Sequence, residues 1–282
     1  MTDKPQPPSS GPQMDRLLAI MAKLRDPDGG CPWDLEQDFP TIAPHTIEEA
    51  YEVADAIQQG DMEALKDELG DLLFQVVFYA QMASERGLWR FEDVAAGIVD
   101  KMIRRHPHVF GDAVVATADA QTARWEETKA KERAEKAAAT GRAPSALDGV
   151  IAGLPALTRA VKLQKRAARV GFDWTDAADI LDKIEEEVGE LRAELENRSQ
   201  DRARIEDEMG DLFFALANLA RRLEIEPETA LRGTNAKFER RFRQVEGWLA
   251  EEGRRPEQAT LEEMEALWTR AKKTERTEDA AD

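Results

Sequence analysis

The chain has 282 residues but one cysteine, Cys31, three histidines and only 6% aromatic side chains. A lone cysteine excludes an intramolecular disulfide framework and cannot by itself build a thiolate metal site, so Cys31 is read as a small buried or half-buried side chain. Glycines and prolines are few and β-branched runs are scarce, which disfavours a strand-rich fold. Nowhere do eighteen apolar residues run together, and the opening "MTDKPQPPSSGPQ" lacks the apolar core of a secretory signal, so the expected location is cytoplasmic. A basic surface is missing too. The formal net charge of −18 argues against a nucleic-acid partner gripped by cations and against a polybasic membrane anchor. No Gly-x-x-x-x-Gly-Lys-Ser/Thr loop occurs, which excludes P-loop chemistry, and no Glu-x-x-His, which weighs against a ferritin-like di-iron bundle.

What is present favours helices: 34% charged residues stand against 42% hydrophobic ones. Apolar spacing predicts helices over 14–24, from about Pro44 or Thr46 to about 60, over 61–86, and through "LWRFEDVAAGIVDKMIRRHP" to a stop at Pro107. Further helices are expected at about 157–170, 176–197, 202–223, 228–252 and 260–274. Residues 1–13 read as a disordered tail, 14–130 as a first module, 131–157 as a linker, 158–275 as a second module and 276–282 as a frayed end.

The two modules are degenerate copies of each other. "DELGDLLFQVVFYA" from Asp67 answers "DEMGDLFFALANLA" from Asp207, and "IEEAYEVADAI" from Ile47 answers "IEEEVGELRAEL" from Ile184. "KMIRR" at Lys101 then answers "KFERR" at Lys237, and "ARWEETKAKER" at Ala123 parallels "ALWTRAKKTER" at Ala266. Four matches in one order make two copies of one helical unit the simplest account.

At about 100° per residue, Ile180, Ile184, Val188, Leu191 and Leu195 form one apolar stripe, with Lys183, Glu187 and Glu190 along its edge. On the following helix Ile205, Met209, Leu212, Leu216, Leu219 and Leu223 form the matching stripe, flanked by Glu208 and Asp211. Packing these helices antiparallel converges four carboxylates, whose repulsion and desolvation cost roughly several kcal/mol without a cation among them. Hard oxygen donors suit Mg²⁺, with Mn²⁺ as a substitute. Gly210, like Gly70 in the other copy, costs about 1 kcal/mol relative to alanine, which is reasonable if backbones approach closely beside the ions. Downstream, Lys237, Arg240 and Arg241 supply the positive charge that a polyphosphate needs in so acidic a chain.

With these residues in view, the sequence resembles the MazG family of all-α nucleoside triphosphate pyrophosphatases. The likeness runs from "CPWD" at Cys31 through "RRHPHVFGD" at Arg104 and "GFDW" at Gly171 to "EDEMGD" and "NAKFERRF". It implies two tandem MazG-type modules, four-helix-bundle-like and completed by dimerisation, that hydrolyse nucleoside triphosphates between the α- and β-phosphates with Mg²⁺. By the family pattern Glu187, Glu190, Glu208 and Asp211 hold the metal. Lys183, Arg204, Asp207, Lys237, Arg240 and Arg241 contact the nucleotide, Trp268 lies beside it, and Glu186 or another carboxylate next to the ions takes the proton from water. The first module keeps Glu48, Glu49, Glu52, Glu68, Asp71, Lys101, Arg104 and Arg105, so Glu49, Glu52, Glu68 and Asp71 make a second candidate metal site. It departs where Lys183 is answered by His45 and Arg204 by Ala64; the resemblance implies that activity lies mainly in the second module, with the first a degenerate, regulatory or weakly active copy. His45 is also read as a helix-start residue, and His106 and His108 as residues that reach phosphate or order a loop. Two other classes remain open at this point: a nucleotide sensor that does not hydrolyse its ligand, and a helical interaction protein.

Overall fold

The computed structural model describes residues 12–113, 117–139, 141, 143–174, 176–197 and 201–278. Among them every regular element is a helix, and none is long and apolar enough to cross a membrane. The chain divides into two compact units, Met1–Thr128 and Lys129–Asp282. The first contains α1 (Gln13–Leu24), α2 (Pro32–Glu36), α3 (Phe39–Gln59), α4 (Met62–Glu85), α5 (Phe91–Arg105) and α6 (Pro107–Phe110). Helix α7 (Ala118–Ala139) begins in it and ends in the second unit. The second unit continues with α8 (Ala156–Ala168), α9 (Ala177–Glu196), α10 (Arg202–Arg222), α11 (Pro227–Glu251), a 3₁₀ turn at Pro256–Gln258 and α12 (Leu261–Glu278). Of the tail expected over 1–13, residues 1–11 lie outside the described residues; of the frayed end, 276–278 continue α12 and 279–282 lie outside them.

In the first unit the core is Met21 from α1, Ile42 from α3, and Val77, Phe78 and Met82 from α4. Arg25, just after α1, ties that helix end to α4 and to the segment of α2. Its guanidinium donates to both carboxylate oxygens of Glu85 at 2.7–3.1 Å and to the backbone carbonyls of Asp34 and Gln37. Burial pushes the Glu85 carboxyl up, but the bonds from Arg25 and Gln81 outweigh it and leave the group below its ordinary value.

Helix α3 starts earlier than the sequence suggests. The Asp38 carboxylate accepts from the Thr41 N–H at 2.9 Å while the Thr41 hydroxyl accepts from the Asp38 N–H at 2.8 Å, a reciprocal cap that sets the start at Phe39. Pro44 therefore lies inside the helix, where its missing N–H gives up one backbone bond. Buried Ile42, the Phe39–Tyr79 stack at 5.9 Å and the Thr46–Tyr79 hydroxyl contact at 2.9 Å hold the turn to α4. The Pro and Gly cluster after α1 likewise contains a turn of helix, α2, that spacing alone does not announce. Cys31, just before it, is half-buried.

The link from α3 to α4 is Gly60, at φ 71°, followed by the capping residue Asp61, whose carboxylate accepts from the N–H groups of Glu63 and Ala64 at 3.0 Å. So short a connection folds α4 back along α3. In the second unit α10 packs back along α9 in the same way, with Asp176 and Asp201 capping the two helices through the N–H groups of Ala178 and Ala203. Helix α8 packs on α10, and its Gln164 amide donates to the Phe214 carbonyl of α10 at 2.8 Å.

Candidate functional site

The α9–α10 seam is not the apolar stripe read from spacing. Ile180 is buried and Ile184 and Leu191 are half-buried, but Val188 and Leu195 are exposed, and Glu187 and Glu194 are buried in their stead. The stripe is rotated by about one residue, so that acids line the contact. An ionised Glu187 buried alone costs roughly several kcal/mol. Lys183, one turn earlier on α9, offsets this: its ammonium lies 2.8 Å from Glu187 Oε1 and 2.8 Å from Glu186 Oε1. Those two hydrogen bonds, Glu186 first, hold the lysine above its ordinary value, so it stays charged across the usable pH range.

Three of the four expected acids converge. Carboxylate oxygens of Glu187, Glu190 and Glu208 lie within 4.8 Å of one another. Burial pushes the Glu208 carboxyl up, and the charges of Glu190, Glu187, Asp211 and Asp207 push it further; Asp211 itself is exposed and lies outside the group of three whose oxygens close on one another. Glu187 Oε2 is buried and makes no hydrogen bond among the described residues. An orphaned carboxylate oxygen in a ring of hard donors fits a divalent cation, and the fit stands on these side chains alone.

The first unit repeats the arrangement. Glu49, Glu68 and Asp71 offer oxygens within 4.8 Å of one another, and burial, then Glu68 and Glu49, raise the Glu52 carboxyl. Glu49 and Glu68 stand where Glu187 and Glu208 stand, so both clusters share that pair. The compensation differs. His45 Nδ1 lies 3.5 Å from Glu48, and Glu49 accepts a 3.2 Å bond from the buried amide of Gln75. His45 is an internal residue of α3 rather than a helix start, and Trp33 of "CPWD" meets its ring edge-on at 6.1 Å. The other two histidines lie at the junction of α5 and α6 and within α6: His106 Nδ1 lies 2.7 Å from the Met102 carbonyl, and its ring packs on His108 and Trp125.

The remaining candidates take partners of their own. Arg204, at the start of α10, reaches across to Glu194 on α9 at 2.5 Å. Arg240 and Arg241 on α11 each bond one oxygen of the buried Glu275 on α12, at 2.8 and 2.6 Å. The Arg241 guanidinium also lies 5.8 Å from the centre of the Trp268 ring, which packs on Phe238 at 5.1 Å. Asp207 and Lys237 are exposed, as is most of Glu186. Sequence reasoning missed Glu194 and Glu275. Signals for both exist: Glu194 and Arg204 are answered together by Ala56 and Ala64, and the parallel of 266–276 with 123–133 sets Glu132 opposite Glu275.

The close backbone approach expected at the two glycines is not made within either unit. A Cβ built on Gly70 or Gly210 meets nothing within 4 Å. Each glycine instead leaves open space beside its acid cluster.

Comparison with known proteins agrees with this doubled geometry. The MazG nucleotide pyrophosphohydrolase domain matches twice, over residues 37–110 and 175–246. An Escherichia coli protein named nucleoside triphosphate pyrophosphohydrolase is 53% identical over 263 residues, 93% of this chain and 98% of its own length. A Thermotoga maritima protein named nucleoside triphosphate pyrophosphohydrolase/pyrophosphatase MazG is 40% identical over 263 residues, 93% of this chain and 97% of its own. A Mycobacterium tuberculosis protein with the first of these names is 36% identical over 164 residues, 57% of this chain and 47% of its own. Both copies of the acid-bearing helix pair fall within the matched segments, and the chain belongs to the MazG family.

Proposed function

We propose that the α9–α10 seam hydrolyses nucleoside triphosphates between the α- and β-phosphates, releasing the monophosphate and pyrophosphate. The observation that carries this reading is the cluster of Glu187, Glu190 and Glu208, one of which, Glu187, keeps a buried, unbonded Oε2. The names of the Escherichia coli and Thermotoga maritima relatives support it. Glu187, Glu190, Glu208 and Asp211 hold Mg²⁺, for which Mn²⁺ substitutes. The ion supplies Lewis acidity at the phosphoryl oxygens and at the attacking water.

The chain's own residues bind, orient and move the proton. Lys183, charged and fixed by Glu186 and Glu187, presents a cation at the rim of the cluster. Arg204, Lys237, Arg240 and Arg241 neutralise phosphate charge that the ion leaves, Asp207 contacts the nucleotide, and Trp268 lies beside it. Glu186 is more than half exposed next to the acids, where it can accept the proton of the attacking water. The exposed line Leu181, Val188 and Leu195 on α9, with Phe213, Leu216 and Leu223 on α10, is covered by a second copy in a homodimer. The acidic chain works in the cytoplasm without a nucleic-acid partner. Glu49, Glu52, Glu68 and Asp71 form a second metal site in a degenerate, regulatory or weakly active copy, where His45 and Ala64 answer Lys183 and Arg204.

Product analysis of an NTP and dNTP panel tests the reading. Monophosphate and pyrophosphate in equal amounts, lost with EDTA and restored by Mg²⁺, are expected. Diphosphate with inorganic phosphate, or no cleavage of any nucleotide, would overturn it, the latter in favour of a sensor or interaction protein.

A further inference from the structure

We infer that Glu194 is a positioning residue for Arg204, and that the pair forms a phosphate-facing layer of the α9–α10 seam next to the acid cluster. The inference rests on the proposed triphosphate reading and adds a residue to it. Glu194 lies seven residues beyond Glu187, two turns along the same face of α9, at about 10 Å of helical rise. Arg204 precedes Glu208 by four residues, one turn or about 6 Å. Because α10 runs back along α9, both displacements point toward the connection between the helices. The pair is therefore the next layer of the same seam.

Its chemistry is asymmetric. The Glu194 side chain is 9% exposed and its Oε2 is buried without a hydrogen bond among the described residues, whereas the Arg204 side chain is 61% exposed. A buried carboxylate at 2.5 Å thus grips one end of a guanidinium whose body remains open to solvent. A surface arginine free of such a grip samples many rotamers and loses that freedom on binding an anion; one held in place loses less. Beside a ring of acids, the held cation also shields an incoming polyphosphate from like charge. The first unit supplies an internal comparison, since there both members are alanine, Ala56 and Ala64. The two positions differ between the copies as a pair, which fits one function shared by both residues.

The test uses the full-length chain with Mg²⁺ and a triphosphate whose α,β-bridge cannot be hydrolysed, beside steady-state kinetics on the cleavable nucleotide. Glu194→Ala, the residue found in the other copy, and Glu194→Gln, which keeps the shape and removes the charge, are compared with Arg204→Ala and with the Glu194→Ala/Arg204→Ala double variant. Glu194→Ala is expected to raise KM and the analogue Kd by about tenfold with kcat within about threefold of wild type, and Glu194→Gln to do the same to a smaller extent. The double variant is expected to bind no worse than Arg204→Ala alone. Thermal unfolding of Glu194→Gln should be unchanged or raised, because a buried charge is removed. Wild-type KM and Kd in both Glu194 variants, or losses that add in the double variant, would overturn the inference. Should the wild-type chain release no pyrophosphate, the parent reading fails, while the analogue Kd values still decide whether Glu194 acts through Arg204.

Discussion

In the second unit the central acid, Glu187, is paired with the Lys183 ammonium, and the adjoining layer of the seam pairs Arg204 with Glu194. The first unit carries the same acids, Glu49, Glu52, Glu68 and Asp71, with other partners. His45 stands in place of Lys183, Ala64 and Ala56 in place of Arg204 and Glu194, and Glu49 receives a neutral amide from Gln75, where the second unit has the buried Ala215. Carboxylates alone suffice to attract a divalent ion. Seating a triphosphate among them takes fixed cations as well. Both units thus bring three carboxylates together in the manner of a cation site, and the second adds paired cations beside them.

Giving the second unit the first unit's residue sharpens that contrast. Hydrogen bonds to Glu186 and Glu187 hold Lys183 above its ordinary value, so its pairing is fully present below the ordinary lysine value and is lost only as pH rises beyond the raised one. A histidine in its place loses the charge as pH rises through about 6.5. Lys183→His is therefore expected to lower kcat/KM by about tenfold at pH 8, with a deficit that shrinks toward pH 6. Rate profiles of the variant and wild type over this range check it, and a deficit independent of pH would contradict the role given to the charge.

A smaller effect concerns the helices that carry the acids. Asp38→Ala breaks the reciprocal cap of α3 and is expected to cost about 1 kcal/mol in urea unfolding. Asp176→Ala removes from α9 a cap that bonds one N–H, at 3.0 Å, and should cost less. Equal losses would remove the argument that the cap, rather than packing alone, starts α3 ahead of Pro44.

The acid pairs were legible in the sequence because residues three apart on a helix share a face whatever the helix packs against. The helical class followed from composition and period, and the tandem arrangement from four ordered matches. The side of α9 that turns inward was not legible. Periodicity assigns Val188 and Leu195 to the core, but it does not weigh a buried acid that has a cation beside it, and Glu187 and Glu194 both do. The start of α3 was misplaced because Pro44 looks like a first-turn proline, while the Asp38–Thr41 exchange that sets the start lies in two ordinary polar residues. Glu275 was missed because its partners, Arg240 and Arg241, are brought to it by the packing of α11 on α12, a long-range contact that local spacing does not encode.

Two acid clusters are candidates for the hydrolysis, and the second unit's is the one proposed to perform it. Pyrophosphate release by Glu208→Gln and by Glu68→Gln, the same substitution at matching positions of the two units, measures this directly once circular dichroism shows that both variants remain helical. The account predicts that Glu208→Gln abolishes release and that Glu68→Gln keeps most of it. Activity retained in Glu208→Gln and lost in Glu68→Gln would contradict it.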